Sequence, residues 1–446
     1  MIKIPIYRKL KNLICLVIAV PIASGLSEAE AQESELERLI YSYGNLETAA
    51  GIGVREEKEV DGTTVLNLWL SEFEGAQATT IELSNPHMTM ADRAGNLYIA
   101  DKESHSILKV DTQGVVTTVA GTHGPGFNGD TGNATAMHLN FPNGLHVLPD
   151  GTFYILDLFN RRVRRVDRRG AMTTVLEDAT GFGPGRGLWV SPDETTIFYN
   201  GTGRVMRWTA ETGSMEFASG FADPGNIAVD AEGNLFVTDR GAHVVYRIQP
   251  NGSRTIIAGD GSDNEPVDGS PATSIGLEDV RGIALRPDGS FFLCTQKGGD
   301  VVFVDSRGIA TALIRGTRSG NTHEGDGLPL ESPGEKISEP RAVTLAPSGD
   351  LIITTNDNGF IRVVRAIPAP EGLTASFGNP GNLTFDWQPT EGIAVDIEHS
   401  TSLRKWSLLD DATSLTTGHF EVEQEGSLDA ASYFRLRPHR PYPGDE

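Results

Sequence analysis

Between residues 86 and 364 the chain repeats one pattern six times, and a repeated supersecondary unit constrains the fold before any catalytic motif is sought. The clearest copies are Gly95-Asn96-Leu97-Tyr98-Ile99-Ala100-Asp101, Asp150-Gly151-Thr152-Phe153-Tyr154-Ile155-Leu156-Asp157 and Gly233-Asn234-Leu235-Phe236-Val237-Thr238-Asp239. Each follows a short apolar run and precedes another that ends near Asp-x-x-Gly. Periods in this range indicate arrays or propellers.

The aligned copies start at Pro86, Pro142, Pro184, Pro224, Val280 and Pro340. In the fourth, Gly225-Asn226-Ile227-Ala228-Val229-Asp230 reads as an inner strand and residues 235–238 as a second. Val244-Val245-Tyr246-Arg247-Ile248 and Thr255-Ile256-Ile257-Ala258 follow as third and fourth strands, with a turn at Asn251-Gly252 between them. Four antiparallel strands make a propeller blade. A lone blade has two apolar faces, so neighbours must stack into a closed ring. The sixth copy ends after Phe360-Ile361-Arg362-Val363-Val364-Arg365, because the prolines of Ile367-Pro368-Ala369-Pro370 cannot extend a ladder. Residues 36–43 are predicted to supply the missing strand. Ala78-Thr79-Thr80-Ile81-Glu82-Leu83, Ala134-Thr135-Ala136-Met137-His138-Leu139 and Ala272-Thr273-Ser274-Ile275-Gly276-Leu277 stand at one distance before Pro86, Pro142 and Val280, as equivalent approaches to three blades.

The predicted fold class is all-β: a six-bladed β-propeller closed by an N-terminal strand, followed by a small β-sandwich domain. The expected boundaries are a signal peptide over 1–31, the propeller over 32–366, a linker at 367–370, the sandwich over 371–439 and a tail at 440–446. In the leader, Arg8, Lys9 and Lys11 precede an apolar stretch over 13–23, and Ala29-Glu30-Ala31 supplies a small-x-small cleavage site. That stretch is shorter than the roughly 20 apolar residues of a spanning helix. The expectation is a secreted or periplasmic protein with no integral membrane segment in the mature chain.

Cys15 lies in the leader, so the mature chain keeps only Cys294 and has no internal disulfide. Phe291-Phe292-Leu293-Cys294 reads as a buried strand. The leader carries four bases and two acids, so its removal takes the net charge from −23 to −25. Such a chain repels phosphate backbones and anionic membranes, which excludes nucleic acid as a partner. Beyond residue 370, Leu383-Thr384-Phe385-Asp386-Trp387, Ala394-Val395-Asp396-Ile397, Phe420-Glu421-Val422 and Tyr433-Phe434-Arg435-Leu436 alternate as short strands. With Ser402-Leu403-Arg404-Lys405-Trp406 they resemble small β-sandwich modules appended to secreted bacterial proteins. Trp387 and Trp406 are either core residues or the walls of a sugar site.

The propeller region resembles the NHL-repeat family of six-bladed propellers. The resemblance rests on Thr117-Thr118-Val119-Ala120-Gly121, Gly126-Phe127-Asn128-Gly129-Asp130 and the Gly-Asn-Leu-Tyr/Phe blocks. It implies the fold; the family includes protein-binding modules, carbohydrate-related proteins and a few enzymes, and a fold does not carry a function.

Strand direction predicts where a site lies. If each inner strand runs away from one face, the turns at 102–104, 158–160, 240–242 and 356–358 return to that face. The long connections 44–84, 121–141, 259–279 and 316–339 lie there too, and loops of this length commonly carry function. One residue into each blade the copies stop agreeing and read His87, Asn143, Arg186, Gly225, Arg281 and Arg341. Three converging arginines suit a carboxylate or sulfate. Asp101, Asp157, Asp239, His243 and Asp357 complete the candidate ligand-binding set, with Asp157, Asp239 and Asp357 alternatively pairing with the arginines.

Three metal readings stand beside this one. Amidating-lyase propellers hold zinc through histidines from separate blades, and His87, His146 and His243 occupy separate blades here, although only Asn85-Pro86-His87 resembles that family's Pro-His start. Gluconolactonase-like propellers use a Glu, Asn residues and an Asp. Phe141-Pro142-Asn143-Gly144-Leu145 resembles their Asn-bearing start, whereas Asp223-Pro224-Gly225-Asn226 departs from their Pro-Asp-Gly. Asp260, Asp263 and Asp268 lie in a Gly-rich acidic loop that suggests calcium, without the spacing of a calcium hand. The sequence therefore supports an exported non-catalytic propeller that binds a protein or glycan ligand, anionic by its arginines. The alternative is a metal-assisted lyase or hydrolase at the channel mouth. Neither cofactor nor oligomeric state can be read.

Overall fold

The computed structural model describes residues 18–22, 35–53, 58–60, 63–65, 67–183, 185–317, 324–355, 359–368, 374–377, 383–391, 393–400, 407–408, 415–416, 418–422 and 430–440. Contacts group Asn45–Val364 into one compact unit, and Met1–Gly44 with Arg365–Glu446 into another.

The first unit is a six-bladed β-propeller. Blade 1 runs Pro86–Ala91, Leu97–Asp101, Ser106–Val110 and Val116–Gly121; blade 4 runs Pro224–Val229, Leu235–Asp239, Val244–Ile248 and Arg254–Ala258. Inner strands touch in sequence around the ring, and that of blade 6, Pro340–Leu345, closes onto Pro86–Ala91 of blade 1. Between blades lie separate apolar clusters, such as Leu145, Phe153 and Ile155 of blade 2 against Met88, Tyr98 and Ile107 of blade 1. Stacking of this kind buries both faces of every blade, which no blade achieves alone.

An N-terminal strand closes the last blade, but it is not residues 36–43. Tyr43–Ala50 pairs with Phe360–Ala366, in the order inner, second, third, N-terminal strand. Glu35–Tyr41 is a helix with Glu35 and Glu37 in its first turn. The apolar positions Leu36, Leu39 and Ile40 fit a helical repeat, and acidic residues suit a helix N-terminus. In the true closing strand, Leu46 and Ala50 are fully buried.

The long connections depart from expectation as well, because part of each lies along the outer edge of the next blade. Thr131–Asn133 adds a fifth strand beside Ala171–Glu177, Ser270–Pro271 does the same beside Ile309–Ile314, and Gln77 bridges to Val115. These segments cover exposed sheet edges. Each continues into a single 3₁₀ turn, Ala78–Thr80, Ala134–Ala136 or Ala272–Ser274, whose first alanine is buried.

In the second unit, Ile18–Ile22, Ala430–His439, Ala394–Ser400 and Ser407–Leu408 form one sheet, and Thr374–Phe377, Leu383–Asp386 and His419–Val422 form another. Phe385, Trp387, Ile397 and Leu436 are buried there, which assigns Trp387 to the core; Trp406 lies outside the described residues. Ile18–Ile22 belongs to the expected leader, whose other residues lie outside the described ones.

Candidate functional site

The mouth residues diverge because the backbone makes them unpaired. Strand pairing slips between Pro86 and Met88, Pro142 and Gly144, Val280 and Gly282, and Pro340 and Ala342. His87, Asn143, Arg281 and Arg341 are thus the extra residues of four β-bulges, a device that re-aims a side chain out of the ladder. The residues just before these strands, Asn85, Phe141, Asp279 and Glu339, all have φ between 47° and 64°. A left-handed non-glycine residue costs about 1–2 kcal/mol. Four such positions around one opening concentrate backbone strain at the site. In blade 3 the inner strand is the short Leu188–Val190, and Arg186 precedes it.

A second set of residues reaches the same opening from the turns after the second strands. Glu103 N–H bonds to Ser84 O, Phe159 N–H to Asn140 O, Arg240 N–H to Asp223 O and Gln296 N–H to Asp279 O. The repeated bond brings each turn beside the start of its own blade. The result is a cavity of about 490 Å³ lined by His87, Asn143, Arg186, Arg281 and Arg341, by Lys102 and Arg240, and by Phe141, Leu158, Phe159 and Phe182. Among the described residues its lining holds five cationic side chains and no carboxylate.

The cations differ in their compensation. Arg281 makes two bonds, of 3.0 and 2.7 Å, to Asp279 Oδ2, and Arg240 pairs with Asp223. Arg186 is only 2 % exposed and has no carboxylate partner among the described residues. Its Nη1 donates to Arg341 O at 3.0 Å, while Nε is buried without a partner among the described residues. Burial, and then the charges of Arg341, Arg281 and Arg240, push its pKa well below the ordinary arginine value, which expresses how poorly the charge is accommodated.

His87 is oriented by a relay. Asn143 Nδ2 donates to Gly185 O at 3.1 Å, which directs Asn143 Oδ1 to His87 Nδ1 at 2.5 Å. Nδ1 therefore carries the proton and Nε2 keeps its lone pair, buried and with no partner among the described residues. Burial and the neighbouring Arg186, Arg341, Lys102 and Arg281 hold the ring's pKa well below its ordinary value, so the ring stays neutral.

The other sequence candidates lie elsewhere. Asp157 accepts from Asn140 N–H at 2.7 Å and Asn160 Nδ2 at 2.9 Å, and Asp239 accepts from Ala222 and Asp223 N–H. Both are buried clamps on the segment that leads into their own blade, behind the cavity. Asp101 is fully buried at the equivalent position, its carboxyl pushed up to about 7 by burial. His243 bonds through Nδ1 to Leu277 O, Gly225 has no side chain to offer, and Pro184 and Asp357 lie outside the described residues.

The three histidines of the zinc reading do not converge. His87 lines the mouth, His146 packs against Trp189 with ring centroids 6.1 Å apart, and His243 is held at its turn. Asp260 caps Ser262 N–H, and Asp268 binds Ala312 N–H and Arg315. Among the described residues no three His, Cys, Asp or Glu side chains are grouped as a metal site. Cys294 is buried, its thiol pushed up to about 12 by burial, as its strand position implied. Sequence reasoning missed Lys102 and Arg240, although each directly follows one of the repeated aspartates, and it missed Phe159 and Phe182.

The chain matches no protein-family model and no curated protein sequence. Solved structures share its fold. A Bacteroides thetaiotaomicron protein of unknown function is 14 % identical with a TM-score of 0.56, over 72 % of this chain and 75 % of that one. An auxiliary nutrient binding protein from Bacteroides ovatus is 15 % identical with a TM-score of 0.52, over 72 % and 76 %. Another auxiliary nutrient binding protein, from Bacteroides thetaiotaomicron, is 15 % identical with a TM-score of 0.51, over 72 % and 75 %. These likenesses establish the propeller fold.

Proposed function

We propose that this is an exported binding protein that takes an anionic group, a carboxylate or sulfate on a glycan or protein ligand, into the mouth of its propeller without transforming it. The observation that carries the reading is Arg186, a buried cation with no carboxylate partner among the described residues, set among four other cationic side chains. Desolvating a charge costs several kcal/mol unless a counter-charge compensates it. An incoming anion supplies that charge with bidentate hydrogen bonds. The auxiliary nutrient binding proteins of the same fold accord with a binding role.

The test is titration calorimetry of the purified protein with carboxylate and sulfate ligands at low salt. Binding should weaken as salt rises and vanish when Arg281 and Arg341 are each changed to Glu. Charge-reversed variants that bind every such ligand as the wild type does would eliminate the reading. The metal-assisted lyase or hydrolase reading has His87 Nε2, an unprotonated base, in its favour. A stoichiometric metal in the purified protein, with loss of turnover on chelation, would replace binding by catalysis.

A further inference from the structure

The donors and acceptors of the mouth specify more than a negative charge. Arginine and lysine present only donors, and Asn143 Oδ1 is already occupied by His87. That leaves His87 Nε2 as the acceptor among the described lining side chains, buried and without a partner among the described residues. A bare sulfate or carboxylate satisfies the guanidiniums and offers His87 no proton. An unmet buried acceptor costs about 1–3 kcal/mol, so a ligand gains by carrying a hydroxyl beside its acidic group.

The opposite wall is aromatic. Phe159 is 60 % exposed and leans on Phe141 with centroids 4.9 Å apart, and Phe182 continues the wall towards blade 3. An exposed aromatic face on a surface otherwise rich in charge suits the C–H face of a ring. The cavity of about 490 Å³ is far larger than a single anion. Its size falls in the range of small-molecule sites that are mostly apolar with a few placed polar groups.

We infer that the mouth binds a uronate, a sugar ring bearing a carboxylate, with the carboxylate on Arg186 and its neighbouring arginines, a hydroxyl donating to His87 Nε2 and the ring face against Phe159. This assignment rests on the anion-binding reading and narrows it to one ligand class. A neutral sugar leaves Arg186 uncompensated, sulfate leaves His87 unmet, and an aromatic carboxylate uses the arginines and the phenyl wall but not His87.

Calorimetry on the mature protein at low salt, with trigalacturonate, glucuronate, galactose, benzoate and sulfate as probes, tests it. At least one uronate should bind about tenfold or more tighter than galactose and benzoate, a difference of about 1.4 kcal/mol. His87→Phe should weaken the uronate about tenfold and leave sulfate unchanged. Phe159→Ala, at an exposed position where folding is not at risk, should weaken the uronate several-fold and leave sulfate unchanged. Benzoate or sulfate matching both uronates would overturn the sugar assignment while the anion reading stands. Binding of no anion would overturn both.

Discussion

Arg186 Nη1 donates to the backbone carbonyl of Arg341 at 3.0 Å, and the two residues belong to blades 3 and 6, which face each other across the ring. One side chain thus spans the mouth, and its charge is held in place by a neutral carbonyl. That bond fixes the guanidinium without neutralising it, which is what the proposed anion binding requires.

Replacing Arg186 with Met keeps most of the length and removes the charge. A ligand that binds only the folded state stabilises it by about 2.7 kcal/mol at a hundredfold excess over Kd. The wild type should show this as a rise in Tm with added anionic ligand, and Arg186→Met should show almost none. A Met variant with the full rise would show that Arg186 is not the ligand's counter-charge.

Gly144 sets how closely blades 2 and 3 approach at this point. A Cβ built there would lie 2.6 Å from Arg186 O and 3.1 Å from Leu156 Cβ. Gly144→Ala should cost about 1–3 kcal/mol, as overpacking generally does. It should also weaken anion binding, since the backbone that must yield carries Arg186. Urea unfolding and calorimetry on the one variant check both; normal stability with normal binding would contradict this geometry.

The ring was legible because Gly-Asn-Leu-Tyr and its relatives repeat both a turn and a strand, and such local signals survive divergence. The divergent position was legible too, as a column running from His87 to Arg341. What it could not show was the bulge that turns four of these residues out of the ladder, since bulges leave no residue signature when the left-handed positions are Asn85, Phe141, Asp279 and Glu339 rather than glycines. Residues 36–43 suit a strand as well as a helix, because a short apolar run fits both periods. Asp157 and Asp239 do not pair with the mouth arginines: Asp157 lies 3.5 Å from the buried Arg164, and the backbone N–H groups that both aspartates hold come from positions no side-chain pattern marks. The span from Arg186 to Arg341 depends on ring diameter, which the sequence expresses only through the whole fold.

Two buried groups should make stability depend on pH with opposite signs. Burial, and secondarily Lys102, lower His105 to about 4. An unfolded histidine titrates near 6.5, so His105 costs stability as pH falls from about 6.5 towards 4, with a slope of up to about 1.4 kcal/mol per pH unit. His105→Asn should flatten that slope, since Asn accepts the left-handed φ of 52° at this position and can take the Phe141 N–H bond. Asp101 behaves conversely. Its pKa is raised from 3.8 to about 7, so its contribution is present below pH 3.8 and lost as pH rises through 7. Asp101→Asn should gain on the wild type from pH 4 to about pH 7 and level off above it. Urea midpoints across pH 4–8 for the two variants decide it, and slopes of the same sign would refute the assignments.

The helix Glu35–Tyr41 has seven residues, too few to persist alone in water, so tertiary contacts must hold it. Within its own unit, Arg38 Nη1 lies 3.3 Å from the fully buried carboxylate of Glu398, which Arg437 also approaches. Arg440 N–H donates to Tyr41 O at 2.8 Å, its Nε donates to Tyr43 O at 2.7 Å, and its guanidinium lies over the Tyr41 ring. Removing one partner of a buried pair costs up to about 3–5 kcal/mol. Arg38 is partly exposed and Glu398 keeps Arg437, so Arg38→Met should cost less, about 1–2 kcal/mol. The loss should appear as faster amide hydrogen exchange in Ala394–Ser400 and Ala430–His439, the strands that carry Glu398 and Arg437. Arg440→Ala should have the same effect. Unchanged exchange in those strands for both variants would mean that the helix is not part of their fold.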